Sequence, residues 1–201
     1  GAVTAEGTRD RILAATVAVL ERDGPDAVRV LSIAEDASVT TGAIYHHFDN
    51  RRSLLVAAQL QRFASAIPED VRLIVGLLTS AQSADDLRAG FAAITAVAYL
   101  PERASNRAAR SEVVSAARTN PELAAALSQQ QHGYVVSVRE AVASAQARGV
   151  MRADTDPHAM AVLMMALPFG FQLADIDREE AVDLTSWAVV VGRVVESFLA
   201  G

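Results

Sequence analysis

The stretch LSIAEDASVTTGAIYHHFDNRR, residues 31–52, decides the fold. Ile33, Ala34 and Ala37 fall at i, i+1 and i+4, the small apolar face of a short helix packed closely on a neighbour. Ser38 and Val39 break that spacing. Thr40 then stands where an N-cap belongs, with a hydroxyl able to satisfy an orphan amide of the next turn. Ile44 and Phe48 make the next i, i+4 apolar pair and leave Thr41, Ala43, Tyr45 and His46 pointing elsewhere. Two short helices at a sharp angle, the second burying two large residues and exposing small polar and aromatic ones, read as a helix-turn-helix.

The exposed set suits duplex DNA. A recognition helix enters a groove roughly 12 Å wide, so small residues at its start let the backbone approach the base edges. Thr41, Gly42 and Ala43 supply that. The Thr40 hydroxyl and the helix N-terminus are natural phosphate partners. Tyr45 and His46 can donate to phosphates while laying ring surface along the sugars. Arg51, opening the following helix, offers a fixed charge to the DNA backbone.

These residues also carry a resemblance. Ile33-Ala34, Val39-Thr40, the run Gly42-Ala43-Ile44-Tyr45-His46-His47-Phe48 and the segment from Arg51 to Leu55 resemble the N-terminal DNA-binding domain of the TetR family of transcriptional repressors. The pattern spans residues 8–58, and the rest of the chain matches in helix layout alone. The resemblance implies an all-α chain of about nine helices, a three-helix DNA-binding domain followed by a helical ligand-binding and dimerisation domain. Four positions depart from the family pattern. Ser38 replaces a glycine at a turn that often needs positive φ, Arg29 replaces a capping Thr or Ser, Arg51 replaces a lysine, and Leu31 stands where a polar or basic phosphate contact is common.

Outward from this stretch, residues up to about Gly7 read as a loose arm, and residues 8–23 as an amphipathic helix. Ile12, Thr16, Val19 and Leu20 lie on its inner side, and Arg9 or Arg11 is within reach of a phosphate. Gly24-Pro25 stops it. A fourth helix starts near Asn50, with Asp49 or Asn50 as cap, and runs to about Ala66. It ties the two parts together, so the expected boundary puts residues 1–52 in the DNA-binding domain and residues 53–201 in the ligand-binding and dimerisation domain.

Composition bounds the function. The 201 residues contain no cysteine, which removes disulfides and thiolate metal sites. No signal peptide and no uninterrupted apolar run of about 18 residues is visible, so a cytoplasmic protein with no membrane partner is expected. The net charge of −6 argues at first against nucleic acid, whose affinity comes from phosphate neutralisation. It is uneven, however: through Arg62 seven Arg face eight acids, a net of −1, so −5 lies beyond.

From residue 69 onward the chain reads as helical throughout. Ser83 is placed to cap a helix over residues 83–100, and Pro101 opens one or two helices whose Arg-rich start looks surface-exposed. Pro121 sits just inside a long helix that Gly149 closes. Residues 159–173 are apolar nearly all round, and residues 181–199 repeat large apolar side chains at helical spacing. Two such helices point to a symmetric four-helix homodimer interface through Met160, Leu163, Leu167, Trp187, Val191, Val194, Val195 and Phe198, with a purely intramolecular core as the alternative. Gly170 and Gly192 would let the helices approach closely, and a twofold pair would read a palindromic operator.

A pocket between helices is expected on architecture. Its candidate lining is Phe91, Ile94, Thr95, Tyr99, Glu112, Val113, Tyr134, Met164, Met165 and Phe169, which fits a hydrophobic small-molecule effector. His132 and Gln129 to Gln131 either join that lining or face solvent. Asp154, Asp156 and His158 lack a fourth metal ligand and read better as helix capping, so no metal is expected. No nucleophile elbow, phosphate loop or dinucleotide fingerprint appears, so neither an enzyme nor a cofactor is expected. The expected function is a ligand-responsive, DNA-binding repressor released from double-stranded operator DNA by its effector. The alternative is a helical dimer that binds a small molecule or protein without specific DNA readout.

Overall fold

The structure is a computed structural model that describes residues 5–66, 68–177 and 179–200. These residues gather into two compact units. One holds residues up to 65 together with 113–127, the other residues 66–112 together with 128 onward. Among the described residues there are eleven α-helices, two 3-10 turns and no strand.

The first unit is built from α1 (Ala5–Asp23), α2 (Val30–Asp36), α3 (Thr41–His47) and α4 (Arg51–Ala66). Ile12, Leu13, Val19 and Leu20 of α1 meet Ile33 and Ala34 of α2, Ile44 of α3, and Leu54 and Ala58 of α4 in one core. Thr16 is buried with them because its hydroxyl donates to the Ile12 carbonyl at 2.8 Å, leaving no orphan polar atom. Gly24 ends α1 at φ 81°, a left-handed conformation that favours glycine, and the 3-10 turn Pro25–Ala27 carries the chain to α2. Asn50 caps α4 reciprocally: its Oδ1 accepts from the Ser53 amide, and the Ser53 hydroxyl accepts from the Asn50 amide.

The second unit takes in α5 (Pro68–Ser80), α6 (Ala84–Ala98), most of α7 (Ala104–Ala117) and of α8 (Pro121–Ala147), α9 (Pro157–Gly170), α10 (Gln172–Ile176) and α11 (Leu184–Glu196). Ser83 and Asp86 form a full capping box at the start of α6, and the Gln82 amide, with the Ser83 hydroxyl and amide, holds the Asp86 carboxyl below the usual carboxylate range. Gly149 closes α8 at φ 75°. Asp156 accepts from the Ala159 amide at 2.7 Å and caps α9, while Asp154 pairs with Arg152.

Two expectations need correction here. The Arg-rich start of α7 is not surface. Arg107 keeps 3% of its side chain exposed and grips both oxygens of Asp175 at 2.6 and 2.7 Å. Arg103 and Arg110 share the carboxylate of Asp70. At i, i+4 and i+7 the three arginines line one face, and carboxylates remote in sequence neutralise them, which composition cannot reveal.

The penultimate helix also differs. Pro157–Ile176 forms one helical stretch long and apolar enough by length and composition to cross a membrane, which a count of strictly unbroken apolar residues had missed. It is not a single rod: α9 stops at Gly170, and α10 begins after Phe171. Pro168 lies inside its last turn, where it removes one helical hydrogen bond. Asp175 is spent on a buried ion pair within the protein, and Met160, Ala161, Pro168 and Phe171 are buried in it. Those residues face the protein, while most of the stretch stays open.

The helices α9 and α11 run antiparallel. Phe171, just past α9, packs on Trp187 in the first turn of α11, with ring centroids 5.0 Å apart. At the other end the amide of Arg152, upstream of α9, donates to the carbonyl of Phe198, just past α11. An isolated bridge between Met151 and Leu199 reinforces that end.

Candidate nucleic-acid interface

Each residue of the helix-turn-helix is placed by a local device. Thr40 caps α3, its Oγ1 accepting from the Ala43 amide at 3.1 Å, which leaves the hydroxyl hydrogen free to donate outward. Ile44 is buried against α1 and α2, which fixes the rotation of α3. Gly42, Tyr45 and His46 are then exposed, Thr41 and Ala43 are half-buried, and His47 turns inward beside Phe48. Tyr45 keeps 53% of its surface. Small residues lead, and two rings with polar edges follow on the open side.

The turn between α2 and α3 carries the main departure. Ser38 has φ 53° and is the one non-glycine residue with positive φ among the described residues. Its backbone takes the left-handed form that the turn demands, at the steric cost of a β-carbon. Arg29 is the N-cap residue of α2 but makes no side-chain cap bond. Arg51 turns inward: Nε donates to the Val28 carbonyl at 2.8 Å and Nη2 to the Pro25 carbonyl at 2.6 Å. The guanidinium expected as a free charge for phosphate is committed to tying α4 to the 3-10 turn that leads into α2. A lysine could not make that forked contact. Arg9 is likewise occupied, lying over the Phe48 ring at 5.4 Å.

The segment with this geometry, residues 12–58, matches the family model for bacterial regulatory proteins of the tetR family. The chain is 26% identical to the HTH-type transcriptional regulator UidR of Escherichia coli (strain K12) over 92% of its own length and 89% of the relative's. It is 40% identical to the HTH-type transcriptional repressor KstR of Rhodococcus jostii over 27% of its length and 26% of that protein's. A TetR-family transcriptional regulator from Rhodococcus sp. superposes with a TM-score of 0.71, covering 96% of this chain and 98% of that one at 24% identity. Residues 12–58 carry the DNA-binding domain of the tetR family. With that domain it is a DNA-binding transcriptional regulator, and the reading without DNA readout is not favoured.

In this regulator the residues anticipated for an effector pocket are dispersed. Tyr99 is buried against Phe171 and Trp187, with centroids 4.8 and 5.4 Å away, in a closed aromatic cluster. Burial pushes its phenol up to about 12, with the Trp187 indole N–H pulling the other way. Val113 is fully buried and groups with the first unit; Glu112 and Phe169 are exposed. Phe91, Ile94, Thr95, Tyr134, Met164 and Met165 are half-buried. Met165 receives the Gln131 amide at 3.8 Å, and Tyr134 accepts from Gln130 at 3.3 Å. Gln130 and Gln131 thus bring polar groups to the inner side of α8, a role their sequence left undecided between pocket and solvent.

The residues expected at a dimer interface also divide. Met160 and Val191 are buried within the protomer, and Trp187 belongs to the aromatic cluster, so none of these three presents a free face. Leu167, Val194, Val195 and Phe198 are half-buried, and Leu163 is exposed. The open apolar stripe is rotated from the expected one: Val162, Leu163, Ala166, Phe169 and Leu173 on α9 and α10, Val182 just before α11, and Val189 and Val190 along it. Sequence showed apolar residues on every side but not which side the rest of the chain would cover.

Proposed function

We propose that the protein is a homodimeric repressor that occupies a palindromic operator and leaves it when a small hydrophobic effector binds. One observation carries this reading: a capped helix, α3, holds Thr41, Gly42, Tyr45 and His46 outward while Ile44 anchors it. Thr40 and Ala43 complete the DNA-facing set, and Arg51 positions the unit from behind. One seven-residue helix discriminates weakly, whereas a twofold pair reads half-sites centred about 34–36 Å apart.

The apolar stripe of α9, α10 and α11 supports a second copy as its occupant, since antiparallel neighbours with one open face each form a four-helix interface when paired about a twofold axis. Residues 1–52 serve DNA binding, and residues 53–201 serve dimerisation and effector binding. Gln131, Tyr134, Met164 and Met165 are the effector's contacts in this scheme. The effector acts by preferring the conformation that does not fit DNA, and linkage requires DNA to weaken effector binding by the same factor.

The test is a footprint on duplex DNA taken from beside the gene. A protected region with internal twofold symmetry, whose affinity falls steeply with salt, is expected. Binding that is as tight for Tyr45→Ala as for wild type, or protection without symmetry, removes the proposal.

A further inference from the structure

Along residues 5–65, two large apolar side chains are left exposed, Leu31 at 71% and Tyr45 at 53%. Both lie on the helix-turn-helix. Tyr45 has a hydroxyl to offer phosphate; Leu31 has nothing polar. Yet Leu31 sits in the first turn of α2, the helix that in this motif crosses the DNA backbone.

Its direction follows from the helix. Ile33, Ala34 and Ala37 mark the buried side of α2. At 100° per residue Leu31 and Glu35 fall on one flank and Asp36 on the other. The Asp36 flank faces α1, because Asp36, Ala37 and Ser38 wall an open groove with Arg11, Ala14 and Ala18. Leu31 therefore lies on the flank turned away from α1. Glu35, one turn further along it, is repelled by phosphate, so close approach is confined to the start of α2, where Arg29 is exposed beside Leu31.

We infer that Leu31 reads thymine, its methyl groups packing on the C5-methyl of one thymine in each half-site. In the major groove that methyl is the one apolar mark a base pair carries, and an apolar side chain is the group that detects it. The residue is thus a specificity determinant in place of a phosphate contact. This inference rests on the DNA-binding reading above.

Duplexes are selected from a random pool by wild type and by Leu31→Ala, and each thymine of the wild-type site is then replaced by uracil, which lacks the methyl. For wild type, one symmetric thymine should be preferred, and uracil there should weaken binding about fourfold per half-site, the factor that burial of one methyl carries. Leu31→Ala should lose both the preference and the sensitivity, and Leu31→Met, still apolar and flexible, should keep them. Circular dichroism should show the variants folded, since the side chain is exposed. Uracil tolerated by wild type at every position, or equal sensitivity in Leu31→Ala, overturns the inference. If wild type enriches no duplex at all, the DNA-binding reading itself fails.

Discussion

Arg51 donates from Nε to the carbonyl oxygen of Val28 at 2.8 Å, across 23 residues of sequence. With a second bond from Nη2 to Pro25, the guanidinium pins the turn before α2 to the start of α4. The charge is used to hold the DNA-binding helices in place. Arg51→Ala should therefore lower stability by about 1–2 kcal/mol, the scale for losing charge-assisted bonds at a half-buried site. Arg51→Lys should fall between. DNA affinity should drop with the slope of log affinity against log salt unchanged; a slope smaller by about one would instead mark Arg51 as a phosphate ligand.

Ser38 supplies a second prediction. A β-carbon at φ 53° costs roughly 1–2 kcal/mol, and glycine avoids most of it while losing more entropy on folding. Ser38→Gly should stabilise the protein by about 0.5–1 kcal/mol in urea unfolding. Ser38→Val, branched at the strained centre, should destabilise it.

Arg107 and Asp175 form an enclosed ion pair, with 3% and 18% of their side chains exposed. Removing one partner strands a buried charge, so Asp175→Ala should cost about 3 kcal/mol or more. The double variant Arg107→Met with Asp175→Leu should recover most of that, and denaturant titration of the three proteins measures the difference.

The Tyr99 phenol titrates at about 12 against about 10 when unfolded, so the folded state holds its proton more tightly. Stability from this group is complete below pH 10 and is lost as pH rises from 10 through 12. The loss should be on the order of 2 kcal/mol. Tyr99→Phe should flatten stability across that window, whatever it does at neutral pH.

The open stripe on α9 and α11 predicts an assembly. Ala166→Glu and Val190→Asp place charges on exposed positions and should leave the protomer folded. Sedimentation should shift from dimer to monomer, and operator affinity should fall at least about tenfold as one half-site is lost. A dimer that survives both substitutions locates the interface elsewhere.

Much of the helix-turn-helix was readable before folding because its signals are local. Thr40 caps an amide three residues on, Ile44 and Phe48 share a face by helical period, and Gly24 and Gly149 end helices through their own backbone freedom. The role of Arg51 was not readable, since its partners are carbonyls 23 and 26 residues away that any residue type could provide. The pocket residues were harder still. Half-buried positions such as Phe91 and Met164 look the same in sequence whether they pack on a neighbour or line a space.

By itself the sequence determined the helices, their caps and the presentation of α3, because those depend on interactions within a few residues and on the 3.6 period. Only the tertiary structure decided which arginines are buried against Asp70 and Asp175, and which side of α9 and α11 stays open. A helix that is apolar all round, or a run of charges, carries no record of what faces it. That is settled when distant segments meet and remove one side from water.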